Sequence, residues 1–380
     1  MPKVLIVTND FPPRSGGIQS FVHALAARLP ADRVVVYAPA WDGAVQFDAR
    51  QEFAVVRHRG SLMLPVPDVR RRAVALLTEH QCDTVLFGAA APLALLAPSL
   101  RRAGAEKIVA LTHGHEAGWA ALPGARSLLR RIADDVDVVT YLGDYFRIRM
   151  AKAMSAAAAG RMVRLAPGVD PGVFRPGAGG ARVRQRLGIE PSRPVAVCVS
   201  RLVPRKGQDM LIRAWPQVVR AAPVKPLLML VGDGPYRSAL DQLAVRTGVA
   251  DSVLFTGTVS WDDLPAYYDA GNIFAMPCRT RRAGLDVEGL GIVYLEASAT
   301  GLPVIAGDSG GAPDAVLEGE TGYVVPGRDV NALANRLIEL LADPAGAAAM
   351  GEKGQAWIDR EWTWDLVADR LQRVLSSHLA

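Results

Sequence analysis

The sequence predicts an α/β fold of two doubly wound domains that face a cleft, with a C-terminal helix that crosses back to the first domain. Short apolar runs alternate with amphipathic stretches, a pattern typical of parallel strands covered by helices on both faces. The alternation occurs in two successive series, one for each domain. The chain has 380 residues, of which 50% are hydrophobic and 21% charged, a globular composition too long for one ordinary core.

The first series of strands occupies the N-terminal half of the chain. Continuous apolar runs of this length are typical of buried parallel strands. Helical patterns lie between them, including Ile18–Leu29 and Val69–Glu79. The predicted strands are Val4–Val7, Val34–Tyr37, Thr84–Phe87, Ile108–Leu111 and Val136–Thr140.

The second series follows a segment rich in proline and glycine, Pro167–Pro176, which we interpret as a linker. We therefore assign residues 1–172 and 363–380 to the first domain and residues 173–362 to the second. The tail is predicted to be helical over Trp357–Leu379. The predicted strands of the second domain are Val195–Val199, Leu227–Val231, Val253–Thr256, Ile273–Met276, Val304–Ala306 and Tyr323–Val325.

Composition and charge narrow the possible functions. A net charge of +5 is mildly basic and suits anionic small molecules or an anionic membrane surface. Aromatic and basic residues do not interleave as they do in nucleic-acid binders, so nucleic acid is not an expected partner. Cys82, Cys198 and Cys278 have no metal-ligand spacing, and we expect reduced thiols of a cytoplasmic protein. We expect neither a cleavable leader nor a membrane span.

The most informative motif runs from Glu288 to Glu296, with the sequence EGLGIVYLE. Gly291 can begin a helix whose first N–H groups attract a phosphate. Glu288 can accept hydrogen bonds from sugar hydroxyls, and Glu296, about two turns later, can reach a ribose diol. One element can thus hold all three parts of a sugar nucleotide. Taken alone, the spacing of the two glutamates is more typical of surface residues around a glycine turn. The neighbouring basic loop instead favours a binding site for a sugar nucleotide.

That neighbouring loop is Ser200–Gly207, which follows the predicted strand Val195–Val199. A strand, a basic glycine-containing loop and a helix form a typical phosphate-binding arrangement. Arg201 has a planar guanidinium group that can bind a diphosphate through paired N–H donors, and Lys206 has a compact positive charge. The alternative is a solvated basic loop.

Other candidate residues also follow predicted strands, where open parallel sheets bind ligands. Gly16 and Gly17, after Val4–Val7, allow a backbone to approach a phosphate or a sugar, although an ordinary turn explains them equally well. They do not form a GxGxxG fingerprint, so we predict no nicotinamide site. Val259 follows another strand at a position that can border a base.

A histidine pair lies at the end of the strand Ile108–Leu111, in the sequence Thr-His113-Gly-His115-Glu116. A histidine at this place can donate to a sugar hydroxyl or lie beside a reacting carbon. A zinc site is the less favoured alternative, because the spacing lacks the helical geometry of HExxH. Each histidine alone is also consistent with a structural role.

Together these motifs resemble the retaining glycosyltransferases of family 4, which have the GT-B fold of two Rossmann-like domains. The Arg-x4-Lys-Gly loop and the Glu-x7-Glu element are its specific features. Longer stretches are similar to actinobacterial enzymes that transfer mannose from GDP-mannose to phosphatidylinositol monomannoside through an α-1,6 linkage. These stretches are VLIVTNDFPPRSGGIQS, FGAAAPLALLAP, THGHE, SRLVPRKGQD, FAMPCRTR and LDVEGLGIVYLEA.

The resemblance implies a role for each matching residue. Arg201 and Lys206 neutralise the leaving diphosphate of GDP in the second domain, Glu288 holds mannose hydroxyls and Glu296 holds the ribose. His113 lies near the anomeric carbon. The implied acceptor contacts, in the first domain, are Asp10 and His115. The further donor contacts are Gly16, Gly17, Val259, Gly289, Leu290, Gly291 and Ile292.

The resemblance also implies partners and a location. No metal is expected, because fixed cations and a helix end neutralise the diphosphate. A lipid acceptor requires a peripheral position at the inner face of the plasma membrane, and the basic stretches Arg70–Arg72 and Ser127–Ile132 can contact anionic headgroups. Solvated helix faces are the alternative interpretation of both. The alternative functions are transfer from a UDP-sugar to another acceptor and, less favoured, epimerisation of a sugar nucleotide.

Overall fold

The computed structural model describes residues 2–114 and 116–376. The chain divides into two compact units. The first unit runs to Pro167 and includes the C-terminal segment that begins at Asp365. The second unit extends from Gly168 to Trp364.

The first unit is built on a parallel sheet, which has seven strands within the described residues, in the order β3-β2-β1-β4-β5-β6-β7. Strand β1 lies between β2 and β4, so the chain leaves β1 in one direction and later returns on its other side. The strands are β1 (Val4–Val7), β2 (Val34–Pro39), β3 (Ala54–His58), β4 (Thr84–Phe87), β5 (Lys107–Ala110), β6 (Val138–Tyr141) and β7 (Met162–Arg164).

Helices cover this sheet and complete its core. Leu5, Val85 and Ile108 of the strands pack in one buried cluster with Leu76 and Ile132 of the helices. The helices are α1 (Gly17–Ala26), α2 (Ala44–Asp48), α3 (Pro67–Glu79), α4 (Ala97–Arg102), α5 (Glu116–Ala121), α6 (Pro123–Asp135), α7 (Asp144–Ala151) and α8 (Ala156–Gly160).

The two edge strands β3 and β7 are absent from the sequence prediction. Residues of the central strands β1, β2, β4 and β5 are buried throughout, whereas those of β3 and β7 are mostly half-buried. Edge strands are covered on fewer sides, so their sequences do not form continuous apolar runs. The central strands, in contrast, coincide with the predicted runs to within two residues at each end.

The second unit has a parallel sheet of six strands within the described residues, in the order β10-β9-β8-β11-β12-β13. The strands are β8 (Val195–Val199), β9 (Leu227–Val231), β10 (Val253–Gly257), β11 (Ile273–Met276), β12 (Val304–Gly307) and β13 (Gly322–Val325). The helices are α9 (Gly180–Arg186), α10 (Gln208–Ala221), α11 (Arg237–Arg246), α12 (Leu264–Asp269), α13 (Ile292–Ala299), α14 (Val330–Ala342) and α15 (Pro344–Glu361).

The helical tail is interrupted, so the prediction of one helix over Trp357–Leu379 is wrong. Helix α15 ends at Glu361, and α16 spans Trp364–Ser376. Between them, Thr363 forms a parallel bridge with Val169, and the Val169 N–H donates to the Trp362 carbonyl at 2.8 Å. The break therefore arises from pairing with a segment far away in the sequence, which the local pattern does not contain.

No helix in the described part of the chain combines the length and apolarity needed to cross a bilayer.

The three cysteines are free and buried, as predicted for Cys82 and Cys198. Burial raises the pKa of the Cys198 thiol to about 12, which keeps it protonated at neutral pH.

Candidate functional site

The candidate site of the second unit lies where β8 and β11 end. These two parallel strands are neighbours, and β9 lies on the other side of β8, so the chain changes direction across the sheet at this point. Ligands of doubly wound proteins bind at such a switch point, beyond the carboxyl ends of the strands. The loops after β8 and β11 are joined there, because the Arg279 N–H donates to the Arg205 carbonyl at 2.9 Å.

The Glu288 carboxylate forms the centre of this site. Only 6% of Glu288 is exposed, and its Oε2 accepts from Lys206 Nζ at 2.8 Å and from Arg205 Nη1 at 2.5 Å. Burial alone raises the pKa of Glu288, but the attraction to Lys206 and Arg205 outweighs it and holds the pKa below the ordinary value. Glu288 is therefore an ionised, buried acceptor. Lys206 and Glu288, which the sequence analysis assigned to the diphosphate and to the sugar, are in direct contact.

Arg205 joins the site although the sequence interpretation assigned it no role. Pro204–Lys206 forms one turn of 3₁₀ helix, which brings the side chains of Arg205 and Lys206 to the same carboxylate. Arg205 Nε also contacts Asp286 Oδ1 at 3.0 Å. In the sequence, only the adjacent residues Arg205 and Lys206 and the carboxylates at 286 and 288 could have indicated this role. The ion pairs between these cations and carboxylates join residues about eighty positions apart, so only the tertiary structure shows them.

The Arg201 guanidinium group differs from that of Arg205 in having no partner in the described part of the chain. Its residue is exposed, and no other described residue forms a hydrogen bond or ion pair with its guanidinium group. The loop that carries it is nevertheless fixed, since Gln208 Nε2 donates to the Arg201 carbonyl at 3.1 Å and the Leu202 N–H donates to the Asp233 carbonyl at 3.0 Å. The turn containing Asp233 thus supports the loop, and Arg201 presents a positive charge available to an anion.

Helix α13 begins as predicted, with Gly291 as its N-cap in left-handed backbone (φ 77°). A side chain at Gly291 would collide with the Tyr294 ring, so glycine is needed both for the backbone and for the space. The first turn of α13 contains no acidic residue. Its N–H groups therefore keep their preference for a negative ligand.

A second glycine-rich turn, Ser309–Gly311, packs against the backbone of Glu288. Gly310 (φ 59°) lies so close to Glu288 that a Cβ there would collide with the Glu288 carbonyl oxygen. The Gly311 N–H donates to that oxygen at 3.1 Å, and the Glu288 N–H donates to Ser309 Oγ at 3.2 Å. The backbone of Glu288 is therefore held from both sides. Its carboxylate owes its position to this turn as well as to the two cations.

Glu296, the predicted ribose contact, is buried in the same unit. Only 3% of the residue is exposed, and its Oε2 accepts from Tyr268 Oη at 2.6 Å. Burial raises the pKa of Glu296 to about 7, and the hydrogen bond from Tyr268 opposes that shift only in part. The contact with ribose stays a prediction, as does the contact of Val259, which is half-buried after β10, with a base.

The first unit contains the remaining predicted residues. Gly16 and Gly17 lie at the start of α1. Gln19 of that helix donates through Nε2 to Asp10 Oδ1 at 2.7 Å, which connects Asp10 to the same region. The predicted contacts of these residues with donor and acceptor stay predictions. His115, the other candidate for the acceptor, lies outside the described residues.

His113 follows β5, as expected, and its ring is held in one orientation. Its Nε2 lies 2.6 Å from the Gly88 carbonyl oxygen, which can only accept, so Nε2 carries the proton. In the neutral ring Nδ1 is then the accepting nitrogen. The backbone N–H groups of His113 and Gly114 both donate to Glu116 Oε2 at 3.0 Å, so the glutamate that suggested a zinc ligand holds the turn.

Over residues 2–114 and 116–376, no three or more His, Cys, Asp or Glu side chains form a group that could hold a metal ion. The expectation of metal-independent chemistry stays a prediction.

Both halves of the chain match known families. Residues 15–173 match the family described as Glycosyltransferase Family 4. Residues 181–357 match the family described as Glycosyl transferases group 1.

Two curated relatives match the chain over its whole length. A protein of Mycolicibacterium smegmatis named GDP-mannose-dependent alpha-(1-6)-phosphatidylinositol monomannoside mannosyltransferase is 54% identical over 378 residues, which are 98% of each chain. A protein of Corynebacterium glutamicum named GDP-mannose-dependent monoacylated alpha-(1-6)-phosphatidylinositol monomannoside mannosyltransferase is 47% identical over 379 residues, which are 99% of this chain and 98% of the relative.

Among solved structures, that of HepE from Anabaena in complex with UDP is similar to this chain. The TM-score is 0.82 at 22% identity, and the match covers 99% of this chain and 100% of the other. This likeness concerns the fold.

The raised pKa of Glu296 predicts a pH dependence of folding stability. The folded protein binds this proton more tightly than the unfolded chain, so the stabilisation is complete below the ordinary value of 4.5 and is lost as pH rises through about 7. Between these limits we expect the wild type to lose on the order of 3 kcal/mol relative to Glu296→Gln. Chemical unfolding of both proteins across this pH range measures the difference.

Tyr268→Phe provides the matched test of the same pair. Loss of its hydrogen bond removes the contribution that lowers the Glu296 pKa. The loss of stability should therefore extend to higher pH than in the wild type. Identical pH profiles for the wild type and Glu296→Gln would contradict the assignment.

Proposed function

The chain belongs to glycosyltransferase family 4 and has the GT-B fold, and we propose that it transfers mannose from GDP-mannose to phosphatidylinositol monomannoside, with retention of configuration, through an α-1,6 linkage. The observation that carries this proposal is the 54% identity, over 98% of both chains, to a relative named for that reaction. The 47% identical relative is named for the same donor and a monoacylated form of the same acceptor.

The chemistry of the second unit supports transfer from a nucleotide diphosphate sugar. When the bond between the anomeric carbon and the phosphate breaks, negative charge develops on the diphosphate. The Arg201 guanidinium group has no partner among the described residues, Lys206 lies on the same loop, and the first turn of α13 contains no acidic residue. Fixed donors of this kind, aimed at developing charge, lower the barrier by several kcal/mol.

We assign Glu288 to holding the sugar hydroxyls. The ion pairs with Arg205 and Lys206 keep its carboxylate ionised and fix its orientation. An ionised carboxylate that accepts from two cations is a weaker nucleophile than a free one, but remains a strong acceptor of hydrogen bonds from hydroxyl groups. In the first unit, the Gly88 carbonyl fixes the orientation of the His113 ring. We assign His113 to the neighbourhood of the anomeric carbon of the donor sugar.

We further propose that the protein works peripherally at the inner face of the plasma membrane. Leu62, Leu64 and Val66 precede α3, and their exposed fractions are 57%, 46% and 44%. Arg70–Arg72, in the first half of α3, are exposed as well. Exposed apolar side chains next to basic residues suit the boundary between acyl chains and anionic headgroups. Ion pairs of Arg71 with Asp68 and of Arg72 with Glu79 reduce this charge.

Labelled GDP-mannose incubated with phosphatidylinositol monomannoside tests the reaction directly. The expected product is the dimannoside. Absence of transfer to any lipid would refute the proposal, and calorimetry with GDP and UDP would then show whether a UDP-sugar is the donor. Release of an epimerised sugar nucleotide without an acceptor would favour the epimerase alternative.

Lys206→Ala tests the role of the cation. We expect a loss of roughly 100-fold or more in kcat, because one preorganised charge at the leaving group is removed. The fold should persist, since Arg205 still neutralises Glu288. Lys225→Ala, at an exposed position of the same unit, is the control. Turnover like that of the wild type would remove Lys206 from the diphosphate site.

Glu288→Gln tests the sugar contact. Transfer should fall roughly tenfold or more, in line with loss of a charge-assisted hydrogen bond. GDP affinity should change much less, because GDP carries no mannose. The measurements are kcat for mannose transfer and calorimetric Kd for GDP, with Glu320→Gln at an exposed position as control. Equal losses in both quantities would contradict the assignment.

The triple variant Leu62→Ser, Leu64→Ser and Val66→Ser tests the membrane surface. Each exposed apolar side chain that inserts contributes to partitioning, so co-sedimentation with anionic vesicles should fall about tenfold or more. Transfer to a short-chain, water-soluble acceptor should persist. Val245→Ser, with 69% exposure on α11, is the control. Undiminished vesicle binding by the triple variant would exclude this surface.

A further inference from the structure

The loop after β11 contains a cluster of arginines that the assigned donor contacts do not use. It begins at Arg279, which pairs with Asp209 at 2.9 Å and is nearly buried. Beyond it, Arg281 and Asp286 exchange two backbone hydrogen bonds, of 2.9 and 3.2 Å, and close a tight turn. Arg282 lies at the tip of this turn and is exposed.

The backbone at the tip is strained. Arg282 (φ 50°) and Ala283 (φ 51°) both adopt the left-handed conformation, followed by Gly284 (φ 93°). This conformation is costly for residues that have a Cβ, and it persists only where the surroundings impose it. Here the Arg205–Asp286 ion pair and the hydrogen bond from Arg328 Nη2 to the Thr280 carbonyl, at 3.2 Å, hold the base of the turn.

Guanidinium groups outnumber carboxylates in and around this loop. Arg281, Arg282 and Arg328 surround the turn, and Asp286 is the only carboxylate paired with any of them among the described residues. Its Oδ2 lies 3.7 Å from Arg281, while its Oδ1 already contacts Arg205 at 3.0 Å. The Leu285 N–H donates to the Arg282 carbonyl at 3.1 Å, whereas the Arg282 guanidinium group forms no hydrogen bond or ion pair with any described residue. Strained backbone therefore holds an uncompensated positive charge at the tip of a turn whose base is linked to Glu288, because Arg205 pairs with both Asp286 and Glu288.

Planar guanidinium groups bind phosphate through paired N–H donors. Arg201, Lys206 and the start of α13 are already assigned to binding the donor diphosphate. We propose that Arg282, assisted by Arg281 and Arg328, binds the phosphodiester of the lipid acceptor. This inference rests on the proposed function, because an acceptor of the phosphatidylinositol class carries its phosphodiester on the ring that also offers the reacting hydroxyl. The loop then selects acceptors that bear this charge.

Arg282→Gln is the test variant, because it removes the charge and keeps the Cβ and a polar side chain. Arg282→Lys keeps a charge but loses the paired donors. Arg246→Ala removes one exposed arginine at the end of α11 and is the control for net charge. Two acceptors are compared in neutral detergent: short-chain phosphatidylinositol monomannoside and mannosyl-inositol, which lacks the phosphodiester.

We expect Arg282→Gln to raise KM for the phosphorylated acceptor tenfold or more and Arg282→Lys to raise it less. The Kd for GDP should remain within twofold of the wild type, which also shows that the protein is folded. The preference of the wild type for the phosphorylated acceptor over mannosyl-inositol should shrink in Arg282→Gln. Arg246→Ala should resemble the wild type.

Three outcomes would overturn the inference. Unchanged acceptor KM and preference would exclude the loop from acceptor binding. A parallel loss of GDP affinity would assign Arg282 to the donor phosphates. A defect that appears only with anionic vesicles, and not in neutral detergent, would assign it to bulk lipid phosphates. Failure of the proposed function is distinct, since the wild type itself would then not transfer mannose to phosphatidylinositol monomannoside.

Discussion

The arrangement of the second unit depends on one buried carboxylate shared by two cations. Glu288 accepts from Lys206 and Arg205 through the same oxygen, and these contacts join the loop after β8 to the loop after β11. A buried carboxylate without them would be costly to ionise, and the two cations would repel each other. The three groups are therefore stable together in one place, which is also the place where a doubly wound sheet binds its ligand.

Hydrogen bonds and close packing from neighbouring segments fix the backbone of the residues that form this cluster of charges. The turn at Ser309–Gly311 holds the Glu288 backbone, while Gly291 begins the helix that follows. Asp286 adds a second contact to Arg205 and anchors the strained turn that carries Arg282. Positive charge thus occupies two positions in this unit, one at the assigned leaving group and one at the tip of the turn. A reaction that transfers a sugar from a nucleoside diphosphate to an acceptor with a phosphodiester, and releases the diphosphate, has a use for both.

Sequence reasoning succeeded where the determinant is local. Continuous apolar runs identified the central strands of both sheets, because burial on both faces requires an apolar residue at every position. Gly291 was identified as the start of a helix, since left-handed backbone and close packing demand glycine there. Lys206 and Glu288 were assigned to one site from their residue types and from the resemblance, and the structure places the two side chains 2.8 Å apart.

The sequence by itself therefore determined the two parallel sheets, the basic loop and the helix start, because each is encoded in a few consecutive residues. Only the tertiary structure decided which groups meet. The contact of Arg205 with Glu288, the hydrogen bond of Tyr268 with Glu296 and the break of the tail at Thr363 all join segments distant in the chain. Such pairings depend on how whole strands and helices pack, and a local pattern carries no record of the partner.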